Sequence, residues 1–140
     1  MAALITTLLD ADIYETDLVL FLDKNWLNDS CINYCLRQLE IKISNRNVLL
    51  MNPSVVSFLM IQCDEEEEYR ELAKGIEIDS RDWILVPVNN SDSFSTVSTH
   101  WSLLLVQTKT GKSYHYDSCA MHNNTAAQFT AEKIFVLLGK

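Results

Sequence analysis

Thr99-His100-Trp101-Ser102-Leu103-Leu104-Leu105, then Thr108-Lys109-Thr110-Gly111, then Lys112-Ser113-Tyr114-His115-Tyr116-Asp117-Ser118, is the stretch that decides how this chain folds. Residues 99 to 107 read as a buried strand, with Trp101, Leu103 and Leu105 on one face and His100, Ser102, Leu104 and Val106 on the other. A turn signal follows, and residues 112 to 117 alternate again, with Tyr114 and Tyr116 opposite Ser113, His115 and Asp117. The pair is a hairpin. With Lys109-Thr110 as a two-residue loop, position 100 lies opposite 119 and Asp117 is the diagonal neighbour of His100 on the same face. A four-residue loop keeps that parity, and a three-residue loop would put the two on opposite faces. Diagonal neighbours are about 7 to 8 Å apart, within reach of an imidazole-carboxylate hydrogen bond.

A histidine beside an aspartate supplies two of the three groups of a nucleophilic triad. A thiol becomes a strong nucleophile when an imidazole takes its proton and a carboxylate holds that imidazole in the right tautomer. A strand histidine is also commonly a hydrogen-bonded structural residue, so spacing alone leaves both readings open.

Two further segments add to the hairpin: Asn25-Trp26-Leu27-Asn28-Asp29 with a helix after it, and Trp83-Ile84-Leu85-Val86-Pro87-Val88-Asn89-Asn90. In this order the patterns W-L-N-D, P-V-N, H-W-S-L and Y-D-S resemble the cysteine proteases of ubiquitin-like modifiers, the sentrin-specific (SUMO-specific) protease family. The likeness runs from about Leu8 to Gly139 and is strongest to the small deneddylase branch, whose domain begins almost at its N-terminus.

The resemblance implies an α+β, papain-like cysteine protease fold with catalytic order His, Asp, Cys, truncated before the nucleophile helix. On that mapping His100 is the general base and Asp117 its orienting carboxylate. Family members thread the modifier's extended Gly-Gly tail through a slot roofed by two indoles, and the matching positions are Trp26 and Trp101. Glycines lack the Cβ that a closed slot would exclude, and flat rings cover a backbone without competing for its hydrogen bonds. Trp101 has a second reading, as part of a core layer on the face opposite His100. Asp29 resembles the family's acidic contact to an arginine near the modifier's tail, and equally Asn28 or Asp29 could supply a helix N-cap.

Relatives carry, downstream of the position of Gly139, a glutamine that donates to the oxyanion and then a Cys-Gly opening a buried helix. Neither occurs in this sequence. Loss of a nucleophile lowers turnover by roughly six orders of magnitude in a well-studied serine protease, so these 140 residues alone are expected to be inactive. Cys119 is the one substitute to consider, but it would attack from the wrong element, without a helix N-terminus to lower its pKa. Cys31 and Cys35 sit four apart on a helix whose apolar face reads Ile32, Cys35, Leu36 and Leu39, which predicts core packing for at least Cys35. Cys63 closes an apolar helix. No metal or cofactor is expected, since no C-x-x-C pair occurs and His100, His115 and His122 form no ligand cluster.

Four scattered cysteines suit a reduced, intracellular protein of cytoplasm or nucleus. The N-terminus lacks a basic region before its apolar residues, and no apolar run approaches the about 18 residues of a membrane span. With 140 residues and 48% hydrophobic content, a single, incomplete protease domain over residues 1–140 is expected. A net charge of −8 disfavours nucleic acid and suits a basic protein partner. The run Asp64-Glu65-Glu66-Glu67-Glu68 could steer such a partner, though a solvated first helical turn with a Glu66 to Arg70 pair explains it better.

Along the chain, residues 3 to 10 are expected as a short turn of helix and 29 to 40 as the helix after Trp26. Asn52-Pro53 opens another helix through Gln62, residues 65 to 74 form one capped by Gly75, and Thr125 to Leu138 closes the chain as a helix ending at Gly139. Strands are expected at 83 to 88, 99 to 107 and 112 to 117, with Pro87 marking an edge or bulge. Asn89 to Ser98 reads as a loop gating the site, and the inner face of strand 99 to 106 should be under-covered.

The reading these features favour is a fragment, truncated gene model or shortened isoform of a cysteine-type peptidase acting on a ubiquitin-like modifier and its conjugates. Deneddylation is favoured, with a SUMO-specific protease as an alternative. The alternatives of another class are a catalytically inactive modifier-binding module that keeps the tail slot, and a regulatory truncation.

Overall fold

The computed structural model describes residues 1–22, 24–90, 99–120 and 122–140. They group into two units, Met1–Asn45 and Arg46–Lys140. In the first, β1 (Leu4–Leu8) and β2 (Ala11–Tyr14) pair antiparallel, with Leu8 opposite Ala11. The short helix expected over residues 3 to 10 is therefore a hairpin. Ile5, Thr6 and Thr7 are β-branched, Leu9 takes a left-handed φ of 54° in the turn, and Ala11 and Ile13 alternate inward at 2% exposure each.

Next come α1 (Glu15–Leu18), a 3₁₀ turn at Val19–Phe21, and α2 (Asp29–Ile43). Asn28 caps α2, its Oδ1 accepting from the Cys31 amide at 3.0 Å. The buried residues of α2 are Cys31, Asn33 and Arg37, and Cys35 is exposed, so the core role expected of Cys35 falls to Cys31. The cause is polar. Asn33 Nδ2 donates to Asp10 Oδ1 at 3.2 Å and Arg37 Nε lies 3.7 Å from the same oxygen, which turns that side of the helix toward the β1–β2 turn.

The second unit is a four-stranded sheet with helices. Its strands are β3 (Val48–Leu50), β4 (Trp83–Asn89), β5 (Trp101–Gln107) and β6 (Lys112–Tyr116), in the order β3-β4-β5-β6. β3 runs parallel to β4 and the other neighbours are antiparallel. β3 was not expected, because three residues show no alternation. Its ladder reaches only to Leu85, so Pro87, further along β4, meets a neighbour on the β5 side alone. The edge expected at Pro87 is thus local to that end of the strand, where a missing N–H removes no ladder bond.

The helices α3 (Pro53–Ile61), α4 (Glu66–Gly75) and α5 (Asn124–Leu137) fall close to their expected positions. Asn52 caps α3 with Pro53 at its first turn, and Arg70 pairs with Glu66 at 2.9 Å. Gly75 is the last residue of α4 rather than its left-handed cap, and the positive φ falls at Glu77 (52°).

The core of this unit forms where α3 and α5 bury Val56, Leu59, Ala127, Ala131, Ile134 and Leu137 against Ile84, Val86, Val88, Leu104 and Val106. Those strand residues share one face. The other face carries Trp83, Leu85, Trp101, Leu103 and Leu105 half-buried, with Tyr114 42% and Tyr116 57% exposed. The under-covered face is therefore that of Trp101, not that of His100, and Trp101 belongs to no core layer of this unit.

The asymmetry predicts unequal costs for truncation. Ile84→Ala, at a fully buried position, should lower the unfolding free energy by about 2–5 kcal/mol. Tyr116→Ala, on the open face, should cost about 1 kcal/mol or less. Urea denaturation of both variants checks this, and equal losses would contradict the assignment of the two faces.

Candidate active site

The β5–β6 ladder ends at Gln107 opposite Lys112, which leaves Thr108 to Gly111 as a four-residue loop. Gly111 takes a φ of 68°, the left-handed region that glycine enters without strain. Thr108 is buried and anchors the loop, its hydroxyl donating to the Arg81 carbonyl at 2.6 Å. Leu103 lies opposite Tyr116, so the register preserves the parity that puts positions 100 and 117 on one face. His100 and Asp117 lie one residue beyond the strand ends, where His100 Nε2 meets Asp117 Oδ1 at 2.5 Å.

Both side chains are sheltered, that of His100 at 15% exposure and that of Asp117 at 5%. Burial works against the charged form of Asp117, but three donors override it: the Asn123 amide on Oδ2 at 2.9 Å, His100, and the Cys119 amide on Oδ1 at 2.9 Å. They hold its carboxyl well below the usual carboxylate range. A carboxylate so fixed accepts only, so the imidazole must present Nε2–H to it, and Nδ1 becomes the nitrogen that takes up a proton.

Around this pair is polar support that the sequence reading missed. The His122 ring stands edge-on to His100 with centroids 4.9 Å apart. Ser102 Oγ bonds His115 Nε2 at 2.9 Å and accepts from Asn123 Nδ2 at 3.1 Å. Asn123 is 1% exposed and stands just before α5.

Trp26 and Asp29 lie in the first unit. The segment before α2 is tied down by asparagines: Asn25 Nδ2 donates to the Val19 carbonyl at 3.2 Å, and Asn28 Nδ2 donates to Asp17 Oδ1 at 2.8 Å. Between them Trp26 is 64% exposed, an unusual state for a large indole. Since Asn28 supplies the cap, Asp29 is left half-buried in the first turn, and burial pushes its carboxyl pKa up. Among the described residues it has no ion-pair partner.

Burial also pushes the Cys31 and Cys63 thiols up, the opposite of what activates a nucleophile. Cys119 is exposed and its amide is occupied by Asp117. Among the described residues no three His, Cys, Asp or Glu side chains converge as metal ligands, and no helix is long and apolar enough to cross a membrane. The gating loop expected at 89 to 98 falls for the most part, at residues 91–98, outside the described residues.

Residues 25–136 match the family described as the Ulp1 protease family, C-terminal catalytic domain. The chain is similar to the probable sentrin-specific protease 8 of Dictyostelium discoideum, 31% identical over 96% of this chain and 59% of that protein. It is 24% identical to the sentrin-specific protease 8 of Homo sapiens, covering 100% of this chain and 67% of that one. With NEDD8-specific protease 1 of Arabidopsis thaliana it shares 27% identity over 93% of this chain and 59% of that one. Among solved structures, the yeast Ulp1 protease domain in complex with Smt3, the yeast ortholog of SUMO, matches with a TM-score of 0.73 and 20% identity over 99% of this chain and 59% of that chain. The chain thus spans 59 to 67% of the length of these relatives, and over that span its α+β fold is that of the Ulp1 catalytic domain.

The depressed Asp117 pKa has a consequence for acid stability. Because the folded carboxyl ionises below the roughly 3.9 of an unfolded aspartate, it adds stability that is present above that value and lost as pH falls below it. Urea midpoints measured from about pH 6 to about pH 2 should therefore drop less for Asp117→Asn than for the parent chain. Parallel curves would show that the three donors do not hold the carboxylate as described.

Proposed function

The chain belongs to the Ulp1 protease family, and from that premise we propose that its protein is a cysteine-type peptidase that cleaves after the C-terminal glycine of a ubiquitin-like modifier, with His100 as general base and Asp117 as its orienting carboxylate. The observation that carries this is the 2.5 Å bond between His100 Nε2 and Asp117 Oδ1, with that carboxylate held by two further amides.

The chemistry follows from the ring's orientation. His100 Nδ1 takes the proton of a thiol as sulfur attacks the glycyl carbonyl carbon, and Asp117 stabilises the imidazolium that forms. The tetrahedral adduct collapses with cleavage of the C–N bond, and the imidazolium returns its proton to the departing amine. Water, deprotonated by the same nitrogen, then hydrolyses the thioester and restores the thiol. The thiol and the oxyanion donor are proposed to lie outside these 140 residues, because Cys31 and Cys63 are buried and the exposed Cys35 and Cys119 stand at no helix N-terminus.

Trp26 and Trp101 are proposed to cover the modifier's glycine tail, and Asp29 to meet a basic residue upstream of it. An exposed indole and a half-buried carboxylate without an ion-pair partner among the described residues support those roles, since both gain from a partner. A modifier of the NEDD8 type is favoured by the name of the Arabidopsis thaliana relative, NEDD8-specific protease 1, whose 27% identity lies above the 20% shared with the SUMO protease. The same exposed indole supports the second reading, in which these residues alone bind a modifier without cleaving it.

Three measurements test the assignment. A NEDD8-type modifier with a C-terminal electrophile should leave the 140-residue chain unlabelled, and a covalent adduct at Cys119, found by mass spectrometry, would overturn the placement of the thiol. In the protein translated from the complete transcript, His100→Ala should lower kcat on a modifier-coumarin conjugate by at least about three orders of magnitude. Undiminished turnover would remove His100 as the base. Trp26→Ala should weaken modifier binding by about 30-fold, the effect of truncating a central aromatic anchor; unchanged affinity in calorimetry would dismiss the tail contact.

A further inference from the structure

We infer that Asn123 is a positioning residue that grips both members of the His100–Asp117 pair, its carboxamide clamping the strand ends so that its own backbone N–H stays aimed at Asp117. The inference rests on the reading of that pair as base and orienting carboxylate.

Asn123 stands at the N-cap of α5, where an asparagine side chain ordinarily turns back to accept from the helix's first amides. Here it makes no such bond. The side chain points instead into the sheet, where Nδ2 reaches the Val88 carbonyl at 3.3 Å, the His100 carbonyl at 3.3 Å and Ser102 Oγ at 3.1 Å. Two N–H bonds shared among three acceptors tie the last turn of β4 to the start of β5. The forgone cap is one cost of that arrangement. A second is Oδ1, which is buried with no partner among the described residues.

What the arrangement secures is the backbone amide of the same residue. It donates to Asp117 Oδ2 at 2.9 Å, while His100 and the Cys119 amide occupy Oδ1. Donors on both oxygens fix the carboxylate plane and hence the direction of the lone pair that meets the imidazole. Asn123 thus holds Asp117 through its main chain and the backbone of His100 through its side chain, at the one point where α5, β4 and β5 converge. Ser102 is held in turn by His115, which stiffens the third acceptor.

Residue chemistry explains the choice of asparagine. An aspartate would set a carboxylate against three oxygens, a serine or threonine would cap the helix but fall short of the sheet, and alanine would leave the three acceptors without this donor. An N-cap or a packing residue would need none of these contacts.

The test reads His100 directly. In the 140-residue chain labelled with ¹³C,¹⁵N-histidine, ring resonances followed against pH give the titration midpoint of His100. Among the described residues its charged and titratable neighbours include Asp117 and the edge-on His122, and a His122→Gln variant separates the signals of the two rings. Asn123→Ala should lower the His100 midpoint by about one unit, a tenfold loss of proton affinity, because a loosened carboxylate stabilises the imidazolium less. Ser102→Ala, which removes one acceptor, should move it the same way by about a third as much on the scale used for ionic linkage. Asn124→Ala, in the first turn of α5 but outside the network, should leave it in place. An unmoved His100 in folded Asn123→Ala, or an equal shift in Asn124→Ala, overturns the inference. If Asn123→Ala does not fold by circular dichroism, an unmoved midpoint in Ser102→Ala overturns it. No hydrolysis is measured, so failure here leaves the peptidase reading standing, and failure of His100→Ala to abolish turnover leaves the clamp standing.

Discussion

Register between β5 and β6 is the constraint on which the site depends, because strand faces alternate with a period of two and a slip by one residue would carry Asp117 to the far side of the sheet from His100. Several weak preferences enforce it together. Leu104 and Val106 are buried at 2% and 0%, so a slip would exchange a packed face for one bearing Trp101, Leu103 and Leu105. Gly111 accommodates the turn at positive φ, and the buried Thr108 hydroxyl pins the loop to the chain before β4. Hydrophobic burial thereby selects the geometry of a polar pair.

The sheet's two faces then serve unlike purposes. One packs against α3 and α5 and supplies the core of the second unit. Its end carries His100, Asp117 and Asn123, so the polar network grows out of the best-packed part of that unit and inherits its rigidity. Across the sheet, Tyr114 and Tyr116 expose apolar rings beside half-buried leucines. A catalytic base benefits from the first environment, where side-chain rotamers are locked, far more than from the second.

How much of this was legible in sequence follows from the range of each interaction. The hairpin, the Asn52-Pro53 start of α3, the Glu66–Arg70 pair and the end of α5 just before Gly139 depend on neighbours within a turn, and their residues announce them. The His100–Asp117 pair spans 17 residues, yet a short loop makes that distance computable from parity. Asn123 was invisible because its acceptors lie up to 35 residues away and its local signal, an asparagine before a helix, points to a cap it does not make. Residues 3 to 10 misled for the converse reason: a few apolar residues carry no decisive period, and the pairing with β2 decided. On α2 the apolar stripe predicted burial of Cys35, but the buried residues are Cys31, whose Sγ meets the Asp17 carbonyl, and Asn33 and Arg37, which meet Asp10 across the turn.

The over-held carboxylate has a chemical meaning beyond orientation. With three donors, Asp117 remains ionised wherever the chain is folded under ordinary conditions, so it never competes with His100 for the proton. The imidazole tautomer with Nε2–H is the one that pairs with such an acceptor-only partner. A carboxylate held by His100 alone would lose two of its three donors and ionise nearer the usual range, and the ring would rotate more freely about its Cβ. The direction of the Asp117–His100 bond is thus held by the main-chain amides at 119 and 123. The orientation of the imidazole is accordingly a property of the loop between β6 and α5 as much as of the histidine.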